Sequence, residues 1–124
     1  MNNILLVALG GSIGAVFRYL LSILMLQLFG SSFPFGTLLV NIMGSFMMGS
    51  IYALGQVSEV SPELKALVGV GLLGALTTFS TFSNETLLLI QSGSWLKALL
   101  NITLNLCLCL FMVYLGQQLV FSRI

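Results

Sequence analysis

Apolar residues fill four long stretches of the chain, and short polar clusters punctuate them. The first stretch runs from about Ile4 to Phe29 and stops at Gly30-Ser31-Ser32. The second starts after Pro34, at Phe35, and ends near Gln56; proline suits the first turn of a helix, where its missing N–H costs nothing. Ser61-Pro62-Glu63 opens the third with an N-cap serine, a proline at the first helical position and an acid in the first turn. This stretch continues to about Gln91. Ser92-Gly93-Ser94 forms a turn, and the fourth stretch runs from Trp95, a candidate interfacial anchor, to Phe121. Each exceeds the ~20 residues that a bilayer-spanning helix needs. The pattern predicts one domain over residues 1–124, an all-α membrane protein with transmembrane helices over 4–29, 35–56, 62–91 and 95–121.

One segment of the third stretch resists a regular helix. In Gly74-Ala75-Leu76-Thr77-Thr78-Phe79-Ser80-Thr81-Phe82, Gly74 lacks a side chain, while Thr77, Thr78, Ser80 and Thr81 carry hydroxyls that compete for backbone hydrogen bonds. Unpaired backbone groups in lipid cost several kcal/mol each, so an interruption survives only inside protein or beside water. The expectation is a broken third helix, with the break near 74–79, and beside it a pathway for an ion or solute.

Composition supports the membrane reading. Of 124 residues 58% are hydrophobic, and the only formal charges are Arg18, Glu59, Glu63, Lys65, Glu85, Lys97 and Arg123, too few to cover a soluble domain. A net charge of +1 gives no basis for attraction to nucleic acid. Met1-Asn2-Asn3 contains no basic residue, and the apolar run after it is too long for a signal-peptide core, so the first stretch reads as a retained helix. Cys107 and Cys109 lie on different faces of the fourth helix and read as buried thiols rather than as a disulfide.

Topology is poorly determined by charge. With four spans both termini share a side, together with Lys65 and Arg123; Lys97 lies opposite, and Arg18 falls within the first span. The positive-inside rule finds almost no bias to act on. Balance of this kind permits insertion in both directions, and hence an antiparallel homodimer, and it equally permits a single weakly biased orientation.

Several helix faces carry candidate chemistry. Gly10, Gly11, Gly14 and Ala15 are small residues at four-residue spacing, a pattern that lets helices approach closely in lipid. Arg18 continues the Gly10–Gly14 face, and an intramembrane arginine usually faces a bundle interior or a water-filled cavity. Thr37, Asn41, Ser45 and Gly49 share a face of the second helix, and Lys97, Asn101, Asn105 and Cys109 share one on the fourth. Such stripes serve as hydrogen-bonding glue between helices. They also offer neutral donors, which hold a desolvated anion without trapping it. Phe79 and Phe82 share a face if the helix re-forms after the break; such rings pack, or turn their positive edges to a small anion. Ser80 and Thr81 lie between them as further donors.

The chain has no histidine and no paired carboxylates, which points away from an enzyme. A small proton-coupled multidrug-type exporter is the alternative. It would want an acid in the first helix, which has none, and only Glu85 comes near such a role. A non-transporting subunit, with the stripes as glue for a larger complex, is the third reading.

The chain resembles the CrcB/Fluc family of fluoride channels along almost its whole length. The resemblance lies in Gly11-Ser12-Ile13-Gly14-Ala15-Val16-Phe17-Arg18-Tyr19, in Phe35-Gly36-Thr37-Leu38-Leu39-Val40-Asn41-Ile42-Met43-Gly44-Ser45-Phe46, and in Gly74 through Phe82. Asn101 and Asn105 fall where the family places polar residues on its fourth helix. The resemblance implies an antiparallel dual-topology homodimer in the bacterial inner membrane that passes fluoride passively and protects the cytoplasm from it. It implies two pores lined by Phe79 and Phe82, with Asn41 as an essential donor and Ser80 and Thr81 close to the ion path. Thr37, Asn101, Asn105 and Cys109 would form a polar track, and Arg18 would lie near a vestibule. A structural Na⁺ would bind the backbone carbonyls of Gly74 and Thr77 from each subunit. Cys109 stands where members commonly carry a hydroxyl, and a thiol donates only weakly.

Overall fold

Asn2 caps the first helix, its side-chain oxygen accepting from the Ile4 amide at 2.9 Å, and α1 runs Asn3–Phe29. Gly30 ends it with φ 76, a conformation that glycine adopts without strain. After Pro34, α2 spans Phe35–Val57. The third span opens with a short turn, α3 (Pro62–Leu64), capped by Ser61, whose Oγ accepts from the Leu64 amide at 3.1 Å. The chain then winds through wide, π-helical turns over Lys65–Leu73 and returns to α geometry in α4 (Gly74–Leu76). Thr77 is extended, at φ −85 and ψ 157, and helix resumes as α5 (Ser80–Gln91). Gly93, at φ 82, turns the chain into α6 (Trp95–Phe121). The computed structural model describes residues 2–123, and among them four helices are long and apolar enough to cross a membrane: α1, α2, the combined span Pro62–Gln91, and α6.

The helices pack in two close pairs, α2 along α6 and α1 along the π-helical stretch. Glycine makes both seams possible. A Cβ on Gly10 or Gly14 would strike the carbonyl oxygen of Leu67 or Leu72, and one on Gly71 would sit 2.7 Å from the Val7 oxygen. Between α2 and α6 the same constraint holds reciprocally: Gly49 lies against the Val113 carbonyl and Gly116 against that of Phe46. Lipid tails are as apolar as leucine, so helices in a bilayer gain from close van der Waals contact rather than from escaping solvent. The Gly10–Gly14 stripe is thus a packing face. The wide turns were not expected from periodicity, which reads an ordinary helix there; they coincide with the backbone-to-backbone seam against α1.

Burial is inverted relative to a soluble protein. Leu9, Leu20, Leu96 and Leu110 are exposed, while Asn101 is 0% exposed and Thr37, Thr86 and Asn105 are buried. Val40, Leu73 and Leu76 form a small apolar core where α1, α2 and the third span meet. Apolar outside and polar inside is the arrangement a bilayer demands.

Neighbouring glycines on α1 test the seam. Gly10→Ala should lower the unfolding midpoint of the purified protein in detergent by the equivalent of ~1–3 kcal/mol, the usual cost of overpacking. Gly11→Ala, whose Cβ would meet nothing nearer than the Gly71 oxygen at 3.9 Å, should leave it unchanged. Equal effects would show that the seam does not hold the pair together.

Candidate functional site

Leaving helical geometry at Thr77 strips several peptide groups of their ordinary i→i−4 partners, and side chains from other helices replace them. In a continuous helix the Thr78 amide would bond the Gly74 carbonyl; instead it donates to Asn41 Oδ1 at 2.9 Å. The Asn41 amide nitrogen donates back to the Thr78 carbonyl at 3.1 Å, so one side chain holds both polar groups of that residue. The Ala75 carbonyl accepts from Arg18 Nε at 3.0 Å. Thr81, whose amide would reach Thr77, donates to Thr78 Oγ1 at 3.1 Å, and this hydroxyl thereby serves as a cap for α5. Thr77 Oγ1 folds back onto the Leu73 carbonyl at 3.0 Å.

From Asn41 the hydrogen bonds continue inward. Asn41 Nδ2 donates to Asn105 Oδ1 at 3.0 Å, Asn105 Nδ2 donates to Asn101 Oδ1 at 3.0 Å, and Asn101 Nδ2 donates to Thr86 Oγ1 at 2.9 Å. Thr86 Oγ1 ends the series on the Phe82 carbonyl at 2.8 Å. Three helical spans are tied together by uncharged groups. Satisfied networks of this type rigidify their surroundings, because each unmade bond in a low-dielectric interior is costly.

Beside this series lies a cleft of about 330 Å³ whose lining includes Asn41, Phe79, Phe82, Asn105 and Cys109. Ser45 and Met48 line it too, as do Thr77 and Thr78. The Phe79 and Phe82 rings are 5.5 Å apart and tilted by 52°. Phe82 is buried, whereas Phe79 is 75% exposed, more than any other large apolar side chain described. Among the described residues, no charged side chain lines the cleft. It combines amide and hydroxyl dipoles, a thiol and two aromatic rings at the N-terminal end of α5, where the helix dipole favours negative charge.

The remaining residues singled out from sequence lie outside the lining of this cleft, at different distances from it. Ser80 and Thr81 do not line it but both contact Thr78, which does: Ser80 Oγ is 3.3 Å from Thr78 Oγ1, and the Thr81 amide donates to that hydroxyl. Arg18 reaches the freed backbone at Ala75. Asn101 sits behind Asn105, out of reach of the cleft. Thr37 lines a separate cavity of about 440 Å³ near the α1–α2 turn, together with Glu85 and several serines. One carboxylate oxygen of Glu85 is buried there without a hydrogen-bond partner. Sequence reasoning passed over Thr86; the available signal was its position one turn after Phe82 on the same helical face.

The chain resembles known proteins along its whole length. A family model described as CrcB-like protein, Camphor Resistance (CrcB), matches residues 5–117. The chain is 90% identical over 124 residues to a protein of Shewanella woodyi named fluoride-specific ion channel FluC, with both chains covered completely. Proteins of the same name from Shewanella sediminis and Shewanella loihica are 88% and 82% identical, again over the full length of both chains. With its family model matched over four spans, the chain belongs to the CrcB family.

Proposed function

We propose that this protein is a fluoride-selective channel that passes the ion down its electrochemical gradient and so lowers cytoplasmic fluoride. The observation that carries the reading is the full-length, 90% identity to a protein named fluoride-specific ion channel FluC. The cleft is consistent with it in chemical terms. A small anion pays heavily to leave water and needs donors, but a fixed positive charge would hold it too long for conduction. Neutral amides, hydroxyls and aromatic edges, several in succession, offer binding weak enough to permit exit. Asn41, Phe79, Phe82, Asn105 and Cys109 line the ion path, Ser80 and Thr81 lie next to it through Thr78, and Thr37 belongs to a further station of the path at the separate Glu85 cavity. Asn101 supports this track from behind, and Arg18 acts at its vestibule through the interrupted backbone.

The functional unit in this reading is an antiparallel dual-topology homodimer in the bacterial inner membrane, its third helix broken between Leu76 and Ser80. The balance of Lys and Arg between the two sides supports dual topology. Exposure of Phe79 supports a second copy as its cover. A structural Na⁺ fits the same interruption. The Thr78 and Thr81 amides go to Asn41 and Thr78 side chains, which leaves the Gly74 and Thr77 carbonyls available to a cation. Backbone oxygens of unwound segments are suitable ligands for a hard monovalent ion, which would supply a fixed positive charge to draw such carbonyls together.

Liposomes containing the purified protein should release fluoride but not chloride under a potential, read with ion-selective electrodes, and release should not respond to uncouplers. Chloride release at the fluoride rate would overturn selectivity, and dependence on a proton gradient would favour the exporter. Phe79→Ile or Phe82→Ile should slow fluoride release by about tenfold, the rate equivalent of ~1.4 kcal/mol, at the upper end of what an aromatic contact supplies.

Replacing Na⁺ with a bulky organic cation should lower the melting temperature of the purified dimer. The loss would correspond to ~2.7 kcal/mol if Na⁺ stands at about 100 times its dissociation constant. Identical melting in both salts would remove the Na⁺ site from this account.

A further inference from the structure

The series of hydrogen bonds from Thr78 to Phe82 has its direction dictated from both ends. At one end the Thr78 backbone N–H only donates; at the other the Phe82 carbonyl only accepts. Between them Asn41, Asn105, Asn101 and Thr86 each accept from one neighbour and donate to the next. Turning over any one amide would set donor against donor on one side and acceptor against acceptor on the other. The series therefore has a single self-consistent arrangement, and both its ends lie on the third span, flanking Phe79.

What this arrangement holds is α5. Only two residues of that helix are buried, Phe82 and Thr86, and they share one face. Apolar side chains in a bilayer gain little by choosing protein over lipid, so they fix the rotation of such a helix weakly. A buried hydrogen bond is directional and fixes it strongly. Thr86 donates to its own helix at Phe82, which turns its remaining lone pairs outward to accept from Asn101, itself fully buried on α6. Neither Thr86 nor Asn101 lines the cleft or the Glu85 cavity.

We infer that Thr86, acting with Asn101, is a positioning residue for conduction: it sets the rotation of α5 on α6 and so the angle at which Phe82 presents its ring to the cleft. The inference rests on the channel reading above. Thr86→Val keeps the shape of the side chain but removes the acceptor, leaving a buried Asn101 donor without a partner. Fluoride release from liposomes should fall about tenfold, equivalent to ~1.4 kcal/mol and within the range for a buried donor left unpaired. Thr86→Ser restores the hydroxyl and should return release to within about threefold of wild type, a conservative rescue that simple loss of packing would not show.

Thr86→Val combined with Asn101→Leu removes both partners of that bond together, while Asn105 Nδ2 loses Asn101 Oδ1 but keeps the Asn101 backbone carbonyl at 2.9 Å, so the double variant keeps the test open if the single variant fails to assemble. Positioning predicts that this double variant regains thermal stability in detergent while fluoride release stays low. Wild-type release from either Thr86→Val or the double variant would overturn the inference, and so would a Thr86→Ser protein as slow as Thr86→Val. Wild-type liposomes that release no fluoride would overturn the channel reading itself, an outcome distinct from wild-type release with undiminished release by the variants.

Discussion

A peptide group in a bilayer has no water to fall back on, and that single constraint organises this molecule. When the backbone leaves helical geometry at Thr77, each freed N–H and C=O must find a partner inside the protein or carry a penalty of several kcal/mol. The partners come from elsewhere in the chain: Asn41 from α2 for both groups of Thr78, and Arg18 from α1 for the Ala75 carbonyl. Two polar residues on otherwise apolar helices, Arg18 and Asn41, are thereby explained by one local event. Arg18, the most expensive of them to bury, is stabilised at the C-terminal end of α4, where backbone carbonyls concentrate negative potential.

Close packing follows from the same constraint. Side chains can reach across to the interrupted backbone only if the helices stand near one another, and the glycine seams bring them there. Gly10, Gly14 and Gly71 let α1 lie against the third span just before the interruption, and Gly44 of α2 lies against the Thr77 methyl within it. At the other face, Gly49 and Gly116 bring α2 and α6 together, which puts Asn41 within 3.0 Å of Asn105. Small residues and amides are therefore complementary devices. The first set the distance and the second use it.

Much of this was legible in the sequence, and the remainder was not for identifiable reasons. Hydrophobic runs and their caps are local signals, so four spans could be read from Pro34, Ser61-Pro62-Glu63 and the serine-glycine turns. A four-residue spacing likewise shows that Asn101, Asn105 and Cys109 share a face of α6. It does not show where along that face the cleft ends. Cys109 and Asn105 reach the cleft, whereas Asn101 turns to Thr86 and is closed off, a distinction that depends on where α5 crosses α6. Thr37 and Asn41 are separated in the same way, one at each cavity. The π-helical turns of Lys65–Leu73 leave no mark in hydrophobic periodicity, because a change from α to π winding alters hydrogen-bond register without altering which residues are apolar.

The hydrogen-bond ledger also bears on how an anion would travel. Both hydrogens of the Asn41 amide are engaged, one by the Thr78 carbonyl and one by Asn105, so it cannot donate to a passing ion without releasing a partner. Releasing Thr78 would loosen the interruption, while releasing Asn105 would leave only its amide oxygen without a donor, the rest of the series staying closed. The second exchange is the cheaper, since Asn105 borders the cleft and the arriving ion replaces one acceptor by another. In the channel proposed above, conduction would be a swap of acceptors along a satisfied network rather than entry into a row of idle donors. Such a swap keeps each site shallow, which is what rapid passage of a strongly hydrated anion requires.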